Sequence, residues 1–130
     1  MIKNSIIFEN HEFCALTKKQ HNVYTRLIPA NTSIQETVDV IVNWILEDCV
    51  KFHDEPTNEY LEVRVGNKSD CNDKKKMKFV HNVSELKTAI TIYLMIGYCA
   101  FEDFCINTYT KSHLSESHNC YTLKSATYNQ

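Results

Sequence analysis

Downstream of Ser33 the chain carries one continuous apolar stripe. Ile34, Val38, Ile41, Val42, Ile45, Leu46 and Cys49 recur at helical spacing. A helix with such a stripe must bury it against another layer along its whole length. Ser33 followed three residues later by Glu36 has capping-box spacing, and Pro56 marks the exit. The pattern predicts a helix over 34–52. Its outer face carries Asp39, Asn43, Glu47 and Lys51, with the last two in the favourable i,i+4 order.

The flanking segments supply the layer that this helix needs. Residues 5–8, 12–17 and 23–28 are short, β-branched and aromatic, and they read as three strands. Pro29 ends the third because it cannot donate to a ladder. Leu61, Val63 and Val65 alternate with Tyr60, Glu62 and Arg64, which predicts a strand over 60–65. Residues 66–73 are turn chemistry throughout, and a return strand is expected over 76–81. That connection is long for a hairpin.

A second helix is capped by Asn82 or Ser84, with Asn82 and Glu85 at box spacing. From Ala89 to Phe101 the run is apolar almost all round, so the helix is expected to persist over 84–106. A helix of that kind is a buried core element or a subunit interface, which makes it the expected seam of a homodimer. The polar tail, 110–130, holds one short apolar alternation at Cys120-Tyr121-Thr122-Leu123. It reads as an edge strand or as a loosely ordered end. Together these give a single α+β domain over 1–130. The expected architecture is an antiparallel sheet, β-β-β-α-β-β-α with a C-terminal edge strand, and two helices packed on one face.

Composition narrows the function classes. The net charge is −2, so no whole-chain field favours nucleic acid or an anionic membrane. No apolar run reaches the roughly 18–20 residues that span a bilayer. Gly and Pro occur twice each, which leaves little for phosphate-cradling loops. Six residue types with AT-rich codons (Lys, Asn, Ile, Tyr, Phe, Met) supply 51 positions, against 11 for Gly, Ala, Arg and Pro. That bias points to an AT-rich genome, such as that of a virus or phage. Six cysteines could pair in a secreted chain, yet Glu9 follows the start too soon for a signal peptide. Reduced thiols in the cytoplasm, a host's if the gene is viral, are therefore expected.

Candidate sites follow from charge and ligand chemistry. From Ser33 to Glu62 eight acids face Lys51 alone. Asp39, Asn43, Trp44, Glu47 and Asp48 are thus the expected docking surface for a protein partner with a basic patch. The reading is a non-enzymatic binding module, a phage- or virus-encoded antagonist of a host factor. The alternative is a nucleic-acid-binding regulator that uses Lys74, Lys75, Lys76 and Lys78 and is stabilised by zinc near Cys105, His113, His118 and Cys120. Two features weigh against it: the chain has two arginines and no C-x-x-C. Cys14 with His21 is the best pair for nucleophilic chemistry, but no orienting third group accompanies it. No catalytic residue, metal or cofactor is expected.

Overall fold

The computed structural model describes residue 2 and residues 4–14, 19–48, 61–96, 103–110 and 118–126. Six strands and two helices follow one another as β1 (Ser5–Cys14), β2 (Lys19–Ile28), α1 (Ile34–Glu47), β3 (Leu61–Asn67), β4 (Lys78–Val80), α2 (Val83–Met95), β5 (Phe104–Thr110) and β6 (His118–Ala126). All pairings are antiparallel, in the order β2-β1-β6-β5-β3-β4. The chain is α+β, with both helices on one face of the sheet.

Alternation decides which side chains meet the helices. Ile6 and Phe8 of β1, Val63 and Val65 of β3, Phe104 and Ile106 of β5, and Tyr121 and Leu123 of β6 point to one face. There they pack with Val38, Ile41, Val42 and Ile45 of α1 and Leu86, Ile90, Tyr93 and Leu94 of α2. Both caps form as their spacing requires. The Ser33 hydroxyl accepts from the Glu36 amide at 3.1 Å, and the Asn82 side chain accepts from the Glu85 amide at 2.9 Å.

Four details differ from the sequence reading. The first two expected strands are one, because Glu9, Asn10 and His11 do not turn the chain. Asn10 is buried, Glu9 and His11 pair on the opposite face, and a register shift beside them leaves Val23 without a partner on β1. The first helix ends at Glu47; the expected extension over 49–52 lies outside the described residues. The second helix ends at Met95 rather than near 106, so the expected dimer seam over 84–106 is not one helix. Residues 104–106 belong to β5, and they read as helix only because both faces of that strand are buried.

The last strand is the largest departure. β6 is not an edge but lies between β1 and β5, and its residues 120–123 are all buried. Its polar content misled because Thr122 and Cys120 lie on the helix-free face, under the β3–β4 connection. That connection is not a loose loop. It forms two 3-10 turns, Lys68–Asp70 and Lys74–Lys76, and folds back over the sheet. Met77 at its end presses on Gly66, where an added Cβ would lie 2.5 Å from the Met77 sulfur.

β6 alone joins β1 and β2 to the other three strands, so loosening it should be felt by the whole sheet. Leu123→Ala is expected to cost about 2–5 kcal/mol, the range for emptying a fully buried leucine site. Urea denaturation monitored by Trp44 fluorescence and by far-UV circular dichroism should show one shared, lowered midpoint. Separate midpoints for the two probes would mean that β6 does not couple the two parts.

Candidate functional site

Three places carry chemistry: the end of α1, the groove between the helices, and the helix-free face of the sheet. At the end of α1, one oxygen of Asp48 accepts from Tyr121 at 2.7 Å, Tyr24 at 2.9 Å and Asn10 at 3.4 Å. Burial and the Asp48 charge push both phenols well above their ordinary range, so both remain donors. Beside them the Arg26 guanidinium lies 4.8 Å from the Tyr24 ring centroid and 5.1 Å from that of Trp44. It also pairs with Glu47 at 3.2 Å. Trp44 in turn packs on Phe8, with ring centroids 5.2 Å apart.

The five residues expected to dock a partner are therefore mostly occupied within the chain. Glu47 and Asp48 turn to β2, β1 and β6, and Trp44 is half-buried between Phe8 and Arg26. Asp39 meets Lys87 of α2 at 3.4 Å, while Asn43 is exposed on the outer face. The strongest negative charge on α1 is spent on holding the helix to its own sheet.

The groove between the helices is lined by Ile34, Gln35, Val38, Asp39, Lys87, Thr91 and Met95 and encloses about 490 Å³. On α2 Ile92, Met95 and Ile96 are 53%, 64% and 70% exposed, and of these Met95 lines the groove. Their i, i+3, i+4 spacing puts these large apolar side chains on one face. Sequence reading left this run either in the core or at a subunit interface, because hydrophobicity all round a helix does not reveal which side stays uncovered.

On the helix-free face two acids organise the ion pairs. Glu9 takes His11 at 2.7 Å and Lys124 at 3.0 Å. Glu62 takes Arg64 at 2.6 Å and Lys74 at 2.7 Å. Burial would raise both carboxyls, but hydrogen bonds from these partners outweigh it and hold both below the ordinary value of 4.5. Arg64 also donates to the Lys74 and Met77 carbonyls, at 3.3 and 3.0 Å, which clamps the β3–β4 connection. Of the lysine run, then, Lys74 is an internal partner. Lys75, Lys76 and Lys78 are exposed, and Lys78 lies on edge strand β4, where a charge protects an open edge.

Beneath that connection lies a feature that no spacing announced. Cys71, Cys105 and Cys120 are free thiols that pack with Met77. They come from a turn and two neighbouring strands and are far apart in sequence, so the only signal was their placement at alternating buried positions. The Thr122 hydroxyl lies 3.8 Å from the Cys105 sulfur and 3.6 Å from that of Cys120. Among the described residues no group of three or more Cys, His, Asp or Glu is placed to hold a metal ion. His113 and the His118 side chain, two of the expected zinc ligands, lie outside the described residues, as does the Cys14 side chain.

No protein-family model, no curated protein and no solved structure matches the chain. Among the described residues no helix is long and apolar enough to cross a membrane. Function must be argued from the surfaces and groups themselves.

Two measurements check the electrostatics. Asp48→Ala strips the buried Tyr121 hydroxyl of its charged acceptor and is expected to cost about 1–3 kcal/mol. Asp39→Ala, at an exposed pair, should change stability by less than about 1 kcal/mol. Equal losses in chemical denaturation would remove the distinction. For pH the sign is set by the depressed carboxyls. Their contribution is complete above the ordinary value of 4.5 and is lost as pH falls through and below it. The Glu9→Gln, Glu62→Gln variant should be less stable at neutral pH, with a flatter stability profile between about pH 5 and pH 2.

Proposed function

We propose that this chain is a non-enzymatic protein-binding module. Its docking surface is the groove between α1 and α2, and its occupant is an apolar segment of a basic partner protein. One observation carries the reading: Met95 stands exposed in the lining of an apolar groove, with Ile92 and Ile96 exposed beside it on the same face of α2. Large apolar side chains grouped on one surface mark interaction sites far more often than scattered ones do. Charge supports the nature of the partner. α1 has no basic residue, and its acids Glu36, Asp39 and Glu47 outnumber Lys87, the α2 residue that lines the groove and pairs with Asp39. An acid-rich helix beside an apolar centre favours a cationic partner and speeds its approach. The AT-rich composition supports the wider setting, a phage- or virus-encoded antagonist of a host factor.

The test places a photo-crosslinking residue at Met95, with Lys19 on the distant β2 as control, in cells that produce the protein. A discrete adduct with a second polypeptide is expected at position 95 alone. It should weaken when Glu36 and Asp39 are both replaced by lysine, and the captured polypeptide should bind the purified chain more tightly at low salt. An adduct with another copy of this chain would replace the proposed partner with a homodimer. No adduct at position 95, or the same adduct at position 19, would overturn the reading.

A further inference from the structure

The thiols on the helix-free face lie on the other side of the sheet from the docking groove and play no part in it. Cys105 lies on β5 and Cys120 on β6, one step diagonally apart: Cys105 is opposite Thr122, and Cys120 is opposite Asn107. Both are buried, at 0% and 4% exposure, and both sulfurs lie against the Thr122 hydroxyl, at 3.8 and 3.6 Å. The Asn107 side-chain amide donates to the Cys71 carbonyl at 2.9 Å, and the Lys68 amide donates to the Asp103 carbonyl at 2.9 Å. These bonds hold the connecting turn, with Cys71 and Lys68, over the two strand thiols. Cys71 is half-buried and forms one wall of a cleft of about 220 Å³, together with Phe13, Gln20, Asn72, Lys74 and Tyr109. The cleft thus reaches the cluster at Cys71, the thiol that covers Cys105 and Cys120.

The groups around Cys120 favour a thiolate there. The neighbouring Cys105 thiol, the Thr122 hydroxyl and the Lys68 ammonium, against burial, bring Cys120 down to about 6. The Cys120 group beside it and burial push Cys105 up, so it keeps its proton. Burial would lower Lys68, but the charges of Cys120, Cys105, Cys71 and Asp103 outweigh it and keep the ammonium charged. From β1, His11 sits opposite Cys120 in register, with its ring nitrogen on Glu9. Tyr109 of β5 and Asp103 complete the set of titratable groups facing this nest. One thiolate, one adjacent protonated thiol and a cation, beneath a third thiol that lines a cleft, are the parts of a peroxide-sensing pair.

We propose that Cys120 and Cys105 form a redox-active dithiol whose oxidant is hydrogen peroxide. The Cys120 thiolate attacks one peroxide oxygen and the O–O bond breaks. Cys120 becomes a sulfenic acid, and the hydroxide that leaves takes a proton to become water. The Cys105 sulfur then attacks the Cys120 sulfur, displacing its hydroxyl as a second water with the Cys105 proton. The S–S bond that forms carries the two-electron oxidation, and one peroxide is reduced to two waters.

The experiment uses the full reduced chain and equimolar hydrogen peroxide, followed by alkylation of the remaining thiols and peptide mapping. Cleavage at Lys111 separates Cys105 from Cys120. A Cys105–Cys120 link with loss of two hydrogens is expected, with Cys14, Cys49, Cys71 and Cys99 alkylated. In Cys105→Ser, Cys120 should persist as a sulfenic acid trapped by dimedone. In the unaltered chain at pH 6, Cys120 should be oxidised at least about tenfold faster in the native state than in urea. A free cysteine near 8.5 is almost wholly protonated at that pH. Native reactivity should rise through a midpoint at about 6 and fall away below it. A Cys71–Cys120 link, oxidation scattered over all six cysteines, or equal rates in native and unfolded chains would each overturn the proposal. The last two need no variant, so a misfolded Cys105→Ser protein would not protect it.

Discussion

The fold depends on the insertion of its last strand into the middle of its sheet. β1 and β2 form a hairpin, and β3, β4 and β5 form a second group; no strand of one pairs with a strand of the other. β6 bonds to β1 along one edge and to β5 along the other, turning two small sheets into one. The bridge is locked from above as well, since the Tyr121 hydroxyl on β6 donates to the carboxylate of Asp48, the C-cap residue of α1. Nearly every other feature presupposes that strand. The core under the helices needs Tyr121 and Leu123, and the thiol nest needs Cys120 and Thr122. Such non-local closure carries a loop-closure cost before its contacts form, which favours slow and concerted folding.

The two faces of the sheet solve different problems. The helix face is closed in the ordinary way, by branched aliphatic and aromatic side chains from both layers. Among the described residues the other face has no helix, and it is covered by the β3–β4 connection and by charge. Glu9 and Glu62 each gather two partners, while Arg64 and Asn107 tie the connection down through its carbonyls. Met77 and Cys71 then supply the apolar cover that a helix would otherwise give. A polar clamp over soft sulfur groups gives a second face that is partly buried yet still polar enough for charge to matter.

Local signals were legible in the sequence, and global ones were not. The starts of both helices were readable because a cap is settled within four residues: Ser33 with Glu36, and Asn82 with Glu85. The alternation of Leu61, Val63 and Val65 was readable for the same reason. The length of the second helix and the place of β6 were not, because burial on both faces of a strand erases its period. Phe104, Cys105 and Ile106 look like the continuation of an apolar helix, though two of them face the helices and one faces the turn. The candidate site divided in the same way. Excess acid on α1 was visible, but not that Glu47 and Asp48 spend it on Arg26, Tyr24 and Tyr121. Trp44, Glu47 and Asp48 find their partners on strands, and Asp39 finds Lys87 on α2, all remote in sequence.

The same logic explains why chemistry can gather on the quieter face without disturbing the other. Along β5 and β6 alternate residues serve opposite sides: Ile106 and Tyr121 face the helices, while Cys105 and Cys120 face the turn. The sheet backbone separates the two sets, so the thiol nest does not have to satisfy the shape demands of the aliphatic core. Its own demands are electrostatic, and Lys68, Thr122 and the ion pairs of Glu9 and Glu62 supply them. Neither the nest nor the helix groove needs a glycine-rich loop or an insertion. Both arise from ordinary alternation, once a mixed polar and sulfur-bearing strand is placed at the centre of the sheet rather than at its edge.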